Sequence, residues 1–293
     1  MEIIDLTGKQ PLNKDPLILV IGQFDGVHKG HQSVLQTAKN HMDTSLDTLA
    51  VMFFSNYSAN KITTDKVKLA LLEKYGVGRY YRVKREEFVL EYLSQLPIKR
   101  IIIGEGFRFG SDGSSNTEEL LRLCAQLDIE VTVAPLIKEN GTKISSNAIR
   151  ESLKEGHMER VHSLLGRAFT VEGTVIHGEK MGRKLGFPTI NLGGTAEYVN
   201  PRSGVYLGVV GIYNKSVITD YYHVLISAGY RPTVKGKGYL IEAYLMNYSG
   251  DLYGKSVSLS FMRFIREEIN YSNLDDLVKQ MELDKKEAER LMG

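Results

Sequence analysis

With one cysteine in 293 residues, the chain cannot close an internal disulfide. Cys124 falls in the helical pattern TEELLRLCAQL, where a small buried apolar role is expected. Long apolar runs are also missing: none approaches the roughly 18 residues of a membrane helix. The opening MEIIDLTGKQ has no basic segment leading into an apolar one, so a cytoplasmic enzyme or binding protein is expected. Charge of one sign is scarce as well. A formal net charge of +2, with no dense Lys/Arg face interleaved with exposed aromatics, points away from nucleic acid and anionic membranes as partners. Any phosphate must then be held by local sites. The 16 tyrosines often alternate within expected strands, where aromatic residues simply pack well. No internal repeat or low-complexity tract is visible.

What is present suggests two folded domains. The length exceeds what one average core supports, and 42% apolar with 25% charged residues is the composition of a folded protein. From residue 17 to about 135, apolar runs (LILVIG, TLAVMFF, KRIIIGEG, EVTVAPLI) alternate with amphipathic segments (HQSVLQTAKNHM, DKVKLALLEKYG, TEELLRLCAQL). That alternation predicts a doubly wound α/β domain with a parallel sheet covered on both faces. From about residue 169 the pattern changes to turn-punctuated strands (FTVEGTVIHG, GVYLGVVGIY, YYHVLISAG, YLIEAYLMNY, KSVSLSFMRFI). They predict an antiparallel β-barrel, closed by the helix NLDDLVKQMELDKKEAERLM. SSNAIRESLKEGHMERVHSLLG reads as two short helices split at Gly156. The expected domains are 1–160 and 168–293.

VIGQFDGVHKGHQSVL follows the first apolar run of the α/β half. Ligands of open α/β sheets bind beyond the carboxyl ends of the strands, where a following helix directs its amides outward. There Gly26 and Gly30 let backbone approach a phosphate, and His28 and His31 can donate hydrogen bonds to charge developing on a phosphoryl group. Two histidines at this spacing can also bind a metal. Asp25 either orients a histidine or caps the turn.

G-x-F-D-G-x-H-x-G-H resembles the H-x-G-H signature of the nucleotidyltransferase superfamily, and its flanks resemble the bacterial bifunctional riboflavin kinase/FAD synthetase family. IIIGEGFRFG and KISSNAIRESL are similar to two further segments of that family. The resemblance implies that His28 and His31 stabilise the transferring adenylyl group. It places Phe24, Asp25, Gly26 and Gly30 against the nucleotide, and Ser145, Ser146 and Arg150 on the ATP phosphates. Taken alone, these last three read as a helix cap and a solvated arginine. The chain departs from the family in three places: MFFSNYSAN replaces T-F-x-P-H-P, Gly106 stands where Asp or Asn is usual before F-x-F-G, and Asn147 replaces threonine.

The barrel half opens with VIHGEKMGRKLGFPTINL, similar to the family's riboflavin kinase signature. Its glycines (Gly178, Gly182, Gly186) suit a phosphate-clasping loop, and Lys180, Arg183 and Lys184 add local positive charge. Thr189 and Asn191 offer hard oxygen ligands suited to Mg²⁺ bridging ATP phosphates. The resemblance puts Gly178, Lys180, Gly182, Lys184, Pro188 and Thr189 on the nucleotide. It makes Thr189 and Asn191 the metal ligands and Glu242 in LIEAYLM the general base, and it sets Arg231 and Arg266 beside flavin. An isolated acid in Glu242's alternating pattern reads equally as a solvent-facing strand residue, and each arginine as a surface ion pair.

The resemblance implies two reactions, with Mg²⁺, ATP, riboflavin and FMN as the small molecules involved. They are phosphorylation of riboflavin to FMN and adenylylation of FMN to FAD. A single retained activity, with the kinase favoured by the N-terminal departures, and a non-catalytic flavin or nucleotide sensor are the alternatives.

Overall fold

The computed structural model describes residues 1–6, 15–43, 45–54, 60–83, 90–108, 117–178, 182, 185–233 and 236–292. Packing divides the chain into two compact units, Met1–Ser58 with Thr63–Ser146 and Ala59–Ile62 with Asn147–Gly293. The first runs β1 (Glu2–Leu6), β2 (Leu17–Ile21), α1 (Lys29–Asn40), β3 (Thr48–Phe54), α2 (Asp65–Lys74), β4 (Arg79–Val83), α3 (Leu90–Leu93), β5 (Ile98–Gly104), α4 (Thr117–Gln126), β6 (Glu130–Ala134), β7 (Lys138–Glu139) and β8 (Thr142–Lys143).

The six long strands form a parallel sheet in the order β1-β4-β3-β2-β5-β6. β2 is apolar throughout because every one of its residues is buried. Leu17, Leu19 and Ile21 meet Leu120, Leu123 and Cys124 of α4 in one core, while Ile18 and Val20 meet Leu35 and Ala38 of α1 and Leu72 of α2 in another. One run thus feeds two cores through the strand's period of two, which is the doubly wound arrangement expected. Burial pushes the Cys124 thiol up to about 11, so it packs as an apolar group and is not a nucleophile.

Two pieces of this unit escape the periodicity. β1 is a mostly exposed edge strand parallel to β4, too short and polar on its outer side to stand out. β7 and β8 form a two-residue hairpin at Asn140 and Gly141, whose φ values of +49° and +78° match the type I′ turn that Asn-Gly favours.

The second unit contains α5 (Ser146–Glu155), which begins at the division, α6 (Met158–Leu165), β9 (Phe169–Ile176), β10 (Thr189–Gly193), β11 (Gly204–Asn214), β12 (Val217–Thr233), β13 (Gly236–Leu245), β14 (Ser256–Glu267) and α7 (Leu274–Met292). The strands close as β10-β13-β12-β11-β14-β9, with every described pairing antiparallel. Phe169, Tyr206 and Phe261 fill the core without solvent contact. Phe261 lies edge-on to Tyr206 at 5.1 Å between ring centroids, and each such buried ring contributes roughly 1.5–3 kcal/mol. α6 packs on β9 and β14, and α7 on β12 and β14. The two helices split at Gly156 therefore belong to the barrel unit, and compact packing divides earlier than the expected 160–168 boundary.

Candidate active sites

Strand order reverses at β2, because β3 and β4 continue to one side and β5 and β6 to the other. The crevice beyond the carboxyl ends of β2 and β5 is therefore the switch point of the sheet. The double-histidine segment follows β2 and the segment holding Gly106 follows β5. Three residues of the first, Phe24, Gly26 and Val27, have φ of +53°, +83° and +39°. Phe24 and Val27 sustain this left-handed backbone because both side chains are buried in the core.

The turn sets His28 at the head of α1, where Nδ1 accepts the His31 backbone N–H at 3.2 Å. An accepting Nδ1 places the ring proton of a neutral His28 on Nε2. The His28 and His31 rings stack at 3.6 Å, and Gly30 fits beneath the His28 ring, where a Cβ would come within 3.1 Å. Burial, helped by the charges of His28 and Lys68, holds His31 well below the ordinary histidine range. At neutral pH it is an uncharged imidazole.

Asp25 fastens the turn to the start of the next helix: its carboxylate accepts the Thr63 N–H at 3.2 Å, and Gly26 N–H donates to Thr63 Oγ1 at 3.1 Å. Ser146, the last residue of the first unit, donates its Oγ hydrogen to the Asp25 carbonyl at 2.9 Å. Arg150 groups with the second unit; its Nε donates to the Asn60 carbonyl at 3.0 Å and NH1 to Asn147 Oδ1 at 3.2 Å. Ser145 directly precedes α5. Most of the altered 52–60 stretch, residues 55–59, lies outside the described residues.

Gly106 has φ +78°. Gly, Asn and Asp are the residues that tolerate this conformation, so the family's usual Asp or Asn and this glycine satisfy one backbone requirement. Only the side chain is lost. Gly106→Asn should leave the unfolding midpoint near that of the parent protein, whereas Gly106→Ala should lower stability by about 1 kcal/mol, both read by thermal denaturation.

In the barrel, Thr189 and Asn191 lie two apart on β10, so they share a face. Antiparallel register sets Asn191 opposite Glu242 and Thr189 opposite Tyr244, while Ser227 of β12 lies on the other side of Glu242. Residues 191, 242 and 227 thus form a row across three strands on the face turned away from buried Ile241 and Ala243. Arg231 NH2 reaches Ser227 Oγ at 3.4 Å, and its NH1 pairs with Glu268. Fifty residues separate Asn191 from Glu242, and only the register reveals that they are neighbours.

Two glycines of the motif, Gly178 and Gly182, approach this row. A Cβ on Gly178 would fall 2.3 Å from Asn191 Nδ2, and one on Gly182 would fall 3.4 Å from Thr189 Oγ1. The Phe187 N–H closes the turn on the Gly182 carbonyl at 2.8 Å, and its buried ring lies 5.2 Å from that of Tyr244. Exposed Pro188 then leads into β10. Lys180, Arg183 and Lys184 fall outside the described residues. Arg266 Nε and NH2 make paired 2.7 Å bonds to the Asp284 carboxylate of α7, and NH1 donates to the Glu267 carbonyl at 2.9 Å.

A family model for riboflavin kinase matches residues 165–292, and one for FAD synthetase matches residues 10–148. The Bacillus subtilis bifunctional riboflavin kinase/FMN adenylyltransferase is 31% identical over 99% of this chain and 98% of its own. The chain belongs to the bifunctional riboflavin kinase/FAD synthetase family. Its relatives include enzymes of the same description from Escherichia coli K12, 30% identical over 94% of this chain and 93% of theirs, and Haemophilus influenzae, 32% identical over 91% of each. A solved structure from Streptococcus pneumoniae, described as a macrolide-efflux protein, matches with a TM-score of 0.83 at 26% identity over 98% of both chains. Among the described residues of this family member, no helix is long and apolar enough to cross a membrane.

Reading the motifs missed one residue in the α/β half of this riboflavin kinase/FAD synthetase family member. Lys68 of α2, three residues after Asp65, resembles half of a surface ion pair, yet its side chain is only 5% exposed. Nothing in the spacing marks it as buried.

Proposed function

We propose that the protein carries both reactions of its family, each in its own unit. The observation that carries this reading is the row of Asn191, Glu242 and Ser227 beside Thr189 and Gly178. It supports riboflavin phosphorylation in the barrel. Glu242 takes the proton of the ribityl primary hydroxyl as that oxygen attacks the γ-phosphorus of ATP, the bond to the β–γ bridging oxygen breaks, and ADP leaves. The Thr189 hydroxyl and Asn191 carbonyl oxygen form a hard donor set that fits Mg²⁺. When bound, Mg²⁺ supplies charge neutralisation to the ATP phosphates. Gly178→Ala, whose Cβ would displace the Asn191 amide, should lower FMN formation by up to about 10²-fold, measured as initial rate.

Adenylyl transfer belongs to the switch point. A phosphate oxygen of FMN attacks the α-phosphorus of a second ATP, and the bond to pyrophosphate breaks. The stacked His28 and His31 support this reading: His31 is an uncharged imidazole at neutral pH, and imidazole N–H groups suit charge developing on a transferring phosphoryl group. The test is to incubate the protein with Mg-ATP plus riboflavin, and separately with Mg-ATP plus FMN, and to resolve the flavins by chromatography over time. FMN and FAD in the first tube and FAD in the second are expected. FMN without FAD would reduce the reading to a kinase, the outcome favoured by the missing side chain at Gly106, and no product in either tube would overturn it.

A further inference from the structure

β12 carries a glycine in its interior, where glycine weakens a strand and commonly marks a close approach. Gly229 is buried, and a Cβ there would fall 2.7 Å from Glu268 Oε2 and 3.1 Å from both Glu268 Oε1 and Arg231 NH1. The Arg231–Glu268 ion pair therefore lies flat against the strand, over a position without a side chain. Ser227, Gly229 and Arg231 fall on one face of β12, the face that Ser227 shares with Glu242 across the register. Arg231 NH1 also donates to the Tyr230 carbonyl at 3.2 Å, and NH2 to Ser227 Oγ at 3.4 Å.

The pair has a definite place relative to the proposed base. Directly opposed residues of antiparallel strands have Cα atoms about 4.5–5.5 Å apart, so contact with Ser227 sets the guanidinium one strand from Glu242. Asn191 lies on the other side of Glu242. Phosphoryl transfer sets the attacking and leaving oxygens roughly in line. With Mg-ATP on the Thr189–Asn191 side, the acceptor alcohol then approaches from the Ser227–Arg231 side. A guanidinium is a planar array of donors that suits the hydroxyls of a ribityl chain, but an unrestrained arginine loses rotamer freedom when it binds a ligand. Side-chain exposures of 38% for Arg231 and 32% for Glu268 make their pairing of small value for stability.

We propose that Glu268 is a positioning residue for riboflavin phosphorylation: through its ion pair with Arg231 across Gly229, it holds the guanidinium beside Ser227, ordered for the ribityl chain before the flavin arrives. The proposal rests on the kinase reading given above. In this arrangement Arg231 meets the flavin, and Glu268 acts only through it. Glu268→Gln keeps the shape of the side chain and removes its charge, so the cost of ordering Arg231 returns to the binding step. The loss falls on riboflavin and spares Mg-ATP and the chemical step.

The experiment measures kcat and both KM values for FMN formation in the full-length protein, with riboflavin Kd from quenching of flavin fluorescence without ATP and the thermal unfolding midpoint as a check on folding. Glu268→Gln should raise KM and Kd for riboflavin about three- to tenfold, with kcat, KM for Mg-ATP and the unfolding midpoint little changed. Gly229→Ala should do the same by a different route, because its Cβ meets the far end of the flexible Glu268 side chain and displaces the pair while both charges remain. In an Arg231→Met background, Glu268→Gln should add nothing further. An unchanged riboflavin KM in Glu268→Gln, the same increment with Arg231 absent, or equal rises in both KM values with a lowered unfolding midpoint would each overturn the proposal. Riboflavin Kd weakened by Glu268→Gln in a protein whose parent makes no FMN would keep the Glu268–Arg231 arrangement and remove the kinase reading. A parent that binds no riboflavin would overturn both.

Discussion

Glu242→Gln should lower the rate of FMN formation by about 10²–10⁴-fold, roughly 3–5 kcal/mol of barrel-site barrier. Glutamine keeps the volume and hydrogen-bonding reach of glutamate but cannot accept the hydroxyl proton at neutral pH. The strand should be indifferent to the change, since Ile241 and Ala243 supply its core contacts and backbone register fixes its place between Asn191 and Ser227. The loss should therefore fall on kcat, with KM for riboflavin and Mg-ATP little altered. Steady-state kinetics with both substrates varied separates the two. A variant with undiminished kcat would return Glu242 to an ordinary solvent-facing strand position.

Asp284→Ala should destabilise the barrel unit by about 3 kcal/mol, near the lower end for breaking a buried ion pair because Arg266 retains some solvent contact. Arg266 and Asp284 are 19% and 6% exposed at their side chains, and two 2.7 Å bonds join them. Gln280 Nε2 adds a third contact, to Asp284 Oδ1 at 2.9 Å. These bonds fix α7 to β14, so removing the carboxylate leaves a largely buried guanidinium without its partner. Thermal or denaturant unfolding should show the loss, and the double variant Arg266→Met with Asp284→Leu should recover part of it by replacing the pair with apolar contact. Parental stability in Asp284→Ala, with a raised KM for riboflavin in Arg266→Met, would favour the flavin role that the family resemblance implies for Arg266.

The contrast between Arg266 and Glu242 shows where sequence reading reaches and where it stops. The runs LILVIG and KRIIIGEG carry their own fold, because strands covered on both faces must be apolar throughout, and the motifs that follow them necessarily land at the same sheet edge. The barrel strands were legible from turns and alternation for a similar local reason. Partnerships across the chain were not. That Asn191 faces Glu242 depends on strand register, and that Arg266 meets Asp284 depends on where a distant helix docks. The burial of Lys68 is invisible in the sequence because periodicity reports which positions face a core only when their residues are apolar. β1 and the Asn140-Gly141 hairpin are too short to establish a period. The packing boundary at Ser146 reflects which unit α5 and α6 lie against, and their amphipathic patterns carry no information about that choice.

The most direct test of two independent sites is to supply the Glu242→Gln protein with Mg-ATP and FMN and to follow FAD by chromatography. FAD should form at the parental rate although the same preparation leaves riboflavin unconverted. Loss of FAD formation together with FMN formation, in a variant that remains folded, would contradict the assignment of the two reactions to the stacked histidines and to the Asn191–Glu242 row.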